Sequence, residues 1–189
     1  MLDPAIKKLI DEADQTMDKA IEHLQIELSG IRAGRATPAM VEHIKVDYYG
    51  NATPLNQVAS ISAPQADLLV VQPWDTSAIG AIEKAIQASS MGMNPSNDGV
   101  IVRIPIPPLS EERRRDLVKT AKARGEDAKV AIRNIRRHIK DTIKTVQQDE
   151  HLPEDMKFEG EETLQKITDR HTDRIDDMLN RKESEIMEV

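Results

Sequence analysis

The chain of 189 residues is long enough for one sizeable domain or two small ones. It has no cysteine, which excludes disulfides, thiolate metal sites and cysteine nucleophiles, and its 33 Asp and Glu residues outnumber its 26 Lys and Arg residues. No stretch approaches the roughly 18 consecutive apolar residues of a membrane span, and the acidic N-terminal segment lacks a signal-peptide core. We therefore expect a soluble protein that is not exported.

Aromatic residues are scarce: the chain contains one Phe, one Trp and two Tyr. The core must therefore be mostly aliphatic, and few side chains are available to stack on nucleobases. Any contact with a nucleic acid should go mainly through phosphates or through shape.

The N-terminal segment is predicted to form a long helix. Asp3 and Pro4 are typical of a helix start, because Asp accepts hydrogen bonds from unpaired amides and Pro suits the first helical position. Apolar residues then recur every three or four positions over residues 6–31, close to the helical period of about 3.6. The pattern predicts a first helix over residues 3–30.

The middle segment has a different pattern, with short alternating or apolar runs separated by turn residues. Gly50 and Asn51 are typical of a turn, and Trp74 is expected to plug the edge of a small core. We predict strands at 43–49, 58–63, 68–71 and 100–104, a short helix beginning at Thr37 and Pro38, and a helix at 77–89. The segment therefore reads as a small α/β domain.

A second long helix is predicted over residues 110–146, capped by Ser110. It carries twelve Lys and Arg against six Asp and Glu, a net charge of +6 in a chain of net −7. Gly125 in its interior costs about 1 kcal/mol relative to Ala, which a close crossing of another helix would explain.

A third long helix is predicted from Glu161 onward, after a break at Leu152 and Pro153. Its apolar stripe includes or neighbours His171, and residues 149–189 carry fourteen acids against six bases. None of the three long helices can bury its stripe alone, so together they predict a three-helix bundle.

The predicted fold class is α+β, with the α/β domain inserted between the first and second bundle helices. The bundle domain is discontinuous, over residues 1–30 and 106–189, and the inserted domain covers 31–105. Two crossings, near 30–32 and 104–108, would join them and permit hinge motion. The candidate hinge residues are Gly30, Pro105, Pro107 and Pro108.

The sequence offers no catalytic motif. The five His residues are scattered, and neither a metal-ligand spacing nor a phosphate-binding loop or nucleophile elbow occurs. His171 is expected to be a partly buried packing residue. We expect no catalytic residue, metal, cofactor or small-molecule substrate.

The basic face of the second long helix is the main functional feature. Long bundle helices often carry Lys and Arg simply to keep the helix solvated or to pair with an acidic neighbour. However, arginine dominates it, and the planar guanidinium binds phosphate in a bidentate manner. The predicted RNA-binding residues are Lys129, Arg133, Arg136, Arg137 and Lys140, together with Arg32 and Arg35 near the domain junction.

Several runs along nearly the whole chain resemble the ribosome recycling factor family. They are IRAGRATP at 31–38, VDYYG at 46–50, TPL at 53–55 with ASI at 59–61, EKAI at 83–86, GMNP at 92–95, PIPPLSEERR at 105–114 and VAIRNIRR at 130–137. Their number and order make the resemblance highly specific.

The resemblance implies an L-shaped, tRNA-like protein with a bundle arm and a β/α/β arm on a hinge. It implies binding to rRNA of the large ribosomal subunit in post-termination complexes, and splitting of the ribosome with elongation factor G and its GTP hydrolysis. Arg133 would be the principal RNA contact, and the protein would be a cytoplasmic monomer without a membrane partner. The alternative from another class is a helical-bundle scaffold or chaperone that binds an acidic protein partner.

Overall fold

The computed structural model describes residues 2–89 and 93–188, and in this part of the chain the contacts separate two compact units. The helical unit comprises the residues up to Ile31 together with Arg115–Ile186. The α/β unit comprises Arg32–Arg114 and the residues from Met187 onward. Residues 106–114, which we assigned to the bundle, thus group with the α/β unit.

Four α-helices form in the described residues: α1 (Pro4–Ser29), α2 (Ile79–Ala88), α3 (Glu111–Asp149) and α4 (Glu154–Met187). The Asp3 carboxylate accepts a hydrogen bond of 2.8 Å from the Ala5 N–H, and Ser110 Oγ accepts one of 3.1 Å from the Arg113 N–H. Both predicted helix starts are therefore confirmed, since each cap satisfies an amide that has no partner inside the helix.

The predicted start of the last helix at Glu161 is wrong, because α4 begins seven residues earlier at Glu154. Pro153 ends one segment but also directly precedes the first turn of the next, where proline is tolerated. Glu154 and Asp155 favour that turn because their charges face the positive end of the helix. His151, with φ of 54°, supplies the tight reversal before it.

The apolar stripes of α1, α3 and α4 merge into one core, as the periodicity predicted. Each well-buried Leu or Ile contributes about 1.5–3 kcal/mol before conformational entropy is subtracted. The buried residues of this core are Ile6, Ile10, Ala13, Met17, Ile21, Leu24, Leu28, Val118, Ala121, Ile132, Ile139, Ile143, Leu164, Ile175 and Ile186.

Two glycines let these helices pack closely. A Cβ atom added to Gly125 of α3 would lie 2.3 Å from Leu179 Cδ1 of α4, and one added to Gly160 of α4 would lie 2.7 Å from Ile6 Cγ2 of α1. Both distances are well below van der Waals contact. The close crossing expected at Gly125 is confirmed.

The α/β unit contains a hairpin and an antiparallel sheet. Strands β1 (Lys45–Tyr48) and β2 (Asn51–Pro54) form the hairpin, while β3 (Ala59–Gln65), β4 (Leu68–Pro73), β5 (Ser96–Asn97) and β6 (Val102–Pro105) form a sheet in the order β3-β4-β6-β5. The predicted strands correspond to β1, β3, β4 and β6. The core between the sheet and α2 includes Leu69, Val71, Ile82, Ile86 and Ile104.

Several local predictions in this unit are corrected. The hairpin turn lies at Tyr49 and Gly50, one residue before the predicted position, because both have positive φ and Tyr48 pairs with Asn51. The polar strand β2 and the two-residue strand β5 were missed, since neither has an apolar pattern. Trp74 does not plug the core: it is 68% exposed, and aliphatic side chains fill the space instead.

Gly125→Ala should lower the free energy of unfolding by about 1–2 kcal/mol, since overpacking against Leu179 outweighs the helix propensity that Ala adds. In a Leu179→Ala background the same change should stabilise the protein. Urea unfolding of the four variants of this cycle measures both effects.

Gly80→Ala is the matched control, because Gly80 lies in α2 and an added Cβ meets no atom within 4 Å. This substitution should raise the free energy of unfolding by about 0.4–1 kcal/mol. Equal effects at Gly80 and Gly125 would contradict the close crossing.

Candidate nucleic-acid interface

The basic side chains of α3 lie on the side of the helix away from its buried isoleucines. Ile132, Ile139 and Ile143 are almost fully buried, whereas the side chains of Arg133 and Lys140 are 51% and 58% exposed. The helical period separates the two groups, because residues three, four and seven apart share a face. We call Lys129, Arg133, Arg136, Arg137 and Lys140 the basic face.

Part of the basic face is paired with acids of α4. Lys129 Nζ lies 2.6 Å from Asp176 Oδ1, and Lys140 Nζ lies 3.6 Å from Glu161 Oε2. The side chain of Lys129 is only 23% exposed, so its charge largely serves the packing of α3 against α4. For these two lysines, pairing with an acidic neighbour is what the structure shows.

The arginines are placed differently. Arg133 Nη2 lies 2.8 Å from Glu126 Oε1, one contact on its own helix that leaves the other guanidinium donors in solvent. The Arg137 side chain is exposed and makes no ion pair or hydrogen bond with another residue of the described ranges. Both can therefore bind an external anion without losing an interhelical contact.

Arg136 is held at the boundary between α3 and α4. Its Nη1 donates a hydrogen bond of 2.9 Å to Gln165 Oε1, while its buried Nε has no partner among the described residues. A buried donor without a partner is energetically unfavourable, so the position of Arg136 carries a local cost in stability.

Arg32 and Arg35 lie in the α/β unit and belong to a different local structure. Arg32 Nη2 donates to the Pro107 carbonyl, and Arg35 Nη2 lies 3.1 Å from Glu188 Oε1. Burial lowers the pKa of Arg32, and the positive charges of Arg113 and Arg114 lower it further. Arg32 thus holds the segment around Pro107 in place, a contact the sequence did not suggest.

The predicted hinge residues occupy ordered positions. Pro105 is the last residue of β6, and the next residue, Ile106, is 4% exposed and donates its N–H to Asp67 O at 2.7 Å. Gly30 caps α1 with φ of −75°, a conformation open to any residue. The first part of the proline segment is therefore integral to the α/β unit.

A cavity of about 380 Å³ lies between α3 and α4 beside the basic face. Its wall contains a side chain that sequence analysis did not select, Phe158, which is 56% exposed. The residues lining the cavity are Arg136, Arg137, Lys140, Phe158, Glu161, Glu162, Leu164 and Gln165. One feature of the sequence pointed to Phe158: the chain's single Phe lies in a highly charged segment. Its position beside the arginines, however, depends on the tertiary structure.

His171 is completely buried, not partly as predicted, and it joins α4 to α1. Its Nδ1 lies 2.8 Å from Ile167 O, and its Nε2 lies 3.0 Å from Asp18 Oδ1 and 3.4 Å from Asp14 Oδ1. These three side chains are of the types that bind a cation, with ligand atoms within 4.8 Å of one another.

However, both carboxylates of this group already have cationic partners. Arg170 lies 2.5 Å from Asp14 Oδ1, and Arg174 lies 2.9 Å from Asp18 Oδ1. A metal ion would have to compete with two guanidinium groups. The group is therefore an ionic network that stabilises the packing of α1 on α4.

Within residues 2–89 and 93–188 no helix is both long enough and apolar enough to cross a membrane.

Comparison with known proteins identifies one family. The model of the ribosome recycling factor family matches residues 24–187. The ribosome-recycling factor of Salinibacter ruber is 51% identical over 189 residues, which cover all of both chains. That of Halalkalibacterium halodurans is 54% identical over 183 residues, covering 97% of this chain and 99% of the relative.

Two solved structures are also similar along the chain. A solution structure of the ribosome recycling factor has a TM-score of 0.81 at 41% identity and covers 100% of both chains. A model of the T. thermophilus ribosome recycling factor, bound with E. coli elongation factor G to the E. coli post-termination complex, has a TM-score of 0.67 at 46% identity. It covers 99% of this chain and 100% of the other.

Asp18→Asn should destabilise the protein near neutral pH, and the difference from the wild type should shrink in acid. The hydrogen bond from His171, and then that from Arg174, lower the pKa of Asp18 below its ordinary value of 3.8. Asp18 therefore contributes stability above that pH, which is lost as the pH falls through its lowered folded-state pKa.

Urea unfolding of both proteins at intervals from pH 6 to pH 2 measures this difference. Asp173→Asn, an acid in α4 outside the network, is a suitable control. A difference for Asp18→Asn that persists unchanged at the lowest pH would show that its carboxylate charge does not stabilise the bundle.

Proposed function

The chain belongs to the ribosome recycling factor family, and we propose that it binds the large ribosomal subunit of post-termination complexes and splits the ribosome together with elongation factor G. The family membership makes it a translation factor and not an enzyme. The observation that carries the proposal is its similarity, over 99% of its length, to a recycling factor bound with elongation factor G on a post-termination complex. GTP hydrolysis by that partner would supply the energy.

The basic face is the part of the helical unit proposed to contact ribosomal RNA. Arg133 and Arg137 are the principal contacts, because they are exposed and their guanidinium groups can reach phosphates. Arg136 and Lys140 are proposed as neighbouring contacts. Lys129, which is paired with Asp176, contributes mainly to the positive electrostatic potential of this face. Arg32 and Arg35 are proposed as supporting contacts from the α/β unit, with the reservation for Arg32 that its guanidinium already binds the Pro107 carbonyl.

The charge distribution supports a specific orientation on the ribosome. Residues 110–146 carry a net charge of +6 while the chain as a whole carries −7, so only one face is attracted to an anionic surface. Acidic residues elsewhere, such as those of the C-terminal helix, would be repelled by RNA. We propose that this asymmetry limits where the protein settles.

The site of action is proposed to be the cytoplasm, where post-termination ribosomes are found. The proposed mechanism is mechanical: the helical unit binds RNA, and the GTPase displaces the α/β unit. The domain boundaries (1–30 with 106–189, and 31–105) and the hinges near 30–32 and 104–108 remain part of this proposal. The boundary between the two units at Ile31 and Arg32 supports the first hinge, whereas their second boundary, between Arg114 and Arg115, lies beyond residues 104–108.

Arg133→Glu should weaken binding to purified large subunits by roughly tenfold to a hundredfold, the range expected for losing a charge-assisted hydrogen bond to phosphate. The slope of log K against log salt should become shallower by about 0.7–0.9, because one counterion-releasing contact is lost. A salt titration of subunit binding measures both quantities.

Arg124→Glu is the matched control: the residue lies on the same helix with the same 51% side-chain exposure, but outside the basic face. It should leave affinity nearly unchanged. If the two variants bind alike, Arg133 is not an RNA contact; if the wild type binds subunits with no salt dependence, a scaffold for an acidic protein is favoured.

Replacing Pro107 and Pro108 by a longer Gly/Ser linker should preserve subunit binding but slow splitting by elongation factor G, since a flexible linker transmits force poorly. Pro105 and Ile106 must be kept, because they complete β6 and the core of the α/β unit. Subunit splitting with and without elongation factor G is the assay.

Inserting the same linker after Gly99, in an exposed turn, is the control for a general effect of insertion. If the Pro107–Pro108 variant splits ribosomes at the wild-type rate, this segment does not transmit force during splitting.

A further inference from the structure

We propose that the cavity between α3 and α4 receives one unpaired nucleotide of RNA, with its base against Phe158 and its phosphate at Arg137 and Lys140. This inference rests on the proposed function and adds to it a contact of different chemistry. The basic face alone reads phosphates and carries no information about bases. Phe158 adds a surface that recognises an exposed base.

The aromatic platform is well placed for stacking. Phe158 is the only Phe of the chain and remains 56% exposed although its ring lies beside a cavity. Lys157 Nζ lies 4.7 Å from the ring centroid, so this cation sits over the ring. A base stacked on the remaining ring surface would cover apolar area that is now in water.

The same cavity contains the charges that a phosphate requires. Arg137 and Lys140 line it, and the Arg137 side chain makes no ion pair or hydrogen bond elsewhere in the described residues. Lys140 Nζ lies 3.6 Å from Glu161 Oε2, a long ion pair whose lysine is 58% exposed, so a phosphate can replace the carboxylate. One phosphate can therefore join the two side chains at the mouth of the cavity.

The remaining polar groups suit the edge of a base better than a phosphate. Glu161 and Glu162 are acidic and would repel phosphate, but carboxylates accept hydrogen bonds from base amino and imino groups. The hydrogen bond from Lys166, at 2.8 Å, lowers the pKa of Glu162, so this acceptor is charged at neutral pH. Gln165 lies on the same wall, where its Oε1 accepts a hydrogen bond from Arg136 Nη1 and its Nε2 donates one to Asp169 Oδ1.

These features favour an unpaired nucleotide over a duplex. In a helical stem the faces of the bases are stacked and hidden, so Phe158 would have no surface to contact. The volume of about 380 Å³ lies within the range of small-molecule pockets and accommodates one nucleotide. A bulged or looped nucleotide presents a face, an edge and a phosphate together.

Phe158→Ala should weaken binding to purified large subunits by about five- to a hundredfold, as expected for the loss of one base-stacking contact. The slope of log K against log salt should not change, because no phosphate contact is removed. Phe158→Tyr should bind like the wild type, and Phe158→Leu, which keeps apolar bulk without an aromatic face, should bind as weakly as Phe158→Ala. Ile26→Ala is the matched control, since Ile26 is 71% exposed in the same unit but does not line the cavity.

Chemical probing of the subunit RNA supplies the second measurement. The wild type should protect the base edge of one unpaired nucleotide, and Phe158→Ala should restore its reactivity while Ile26→Ala does not. Wild-type affinity of Phe158→Ala, or full affinity of Phe158→Leu, would overturn the stacking contact.

A loss of affinity without any change in base reactivity would indicate a ribosomal protein at Phe158 and would also overturn the inference. Failure of the wild type to bind subunits at all would instead contradict the proposed function, so the two outcomes are distinguishable.

Discussion

The close packing of α3 against α4 is the constraint on which the rest of the helical unit depends. With no buried aromatic in its core, the bundle must fill its interior with aliphatic side chains, and its helices approach closely to do so. Gly125 permits this approach by leaving room for Leu179. Because this packing fixes the rotation of α3, Ile132, Ile139 and Ile143 face inward while Arg133 and Arg137 are exposed. The candidate interface is thus a consequence of core packing.

The charges of α3 and α4 then divide into two roles. Lys129 and Lys140 meet Asp176 and Glu161 and contribute to the contact between the helices. Each of these pairs has one partly buried and one exposed partner, and ion pairs near the surface contribute modestly, at about 1 kcal/mol or less. Arg133 and Arg137 form no ion pair with α4 in the part of the chain that the structure describes, and both remain available to an external anion. A basic helix is therefore not fully neutralised by an acidic neighbour. Binding of an external anion is expected at the arginines that are not paired with that neighbour.

The proline segment that follows β6 is held to the α/β unit by specific contacts. Arg32 binds the Pro107 carbonyl, and Ile106 is buried in the core beyond the end of β6. These contacts tie the residues that follow β6 to the rest of the α/β unit. In both units, positively charged side chains serve packing, as Lys129 does with Asp176 and Arg32 does with the Pro107 carbonyl.

The sequence by itself determined the three long helices, the main strands and the family, because helical period, caps and motif runs are local properties of the chain. It also placed the basic face, since spacing on one helix decides which residues share a side. It misplaced the start of α4, because Pro153 both ends one segment and precedes the first turn of the next, and it misplaced the hairpin turn, where the same residues suit two neighbouring positions. Only the tertiary structure exposed Trp74, buried His171 against Asp18 and brought Phe158 to Arg137, because each depends on which distant side chains meet.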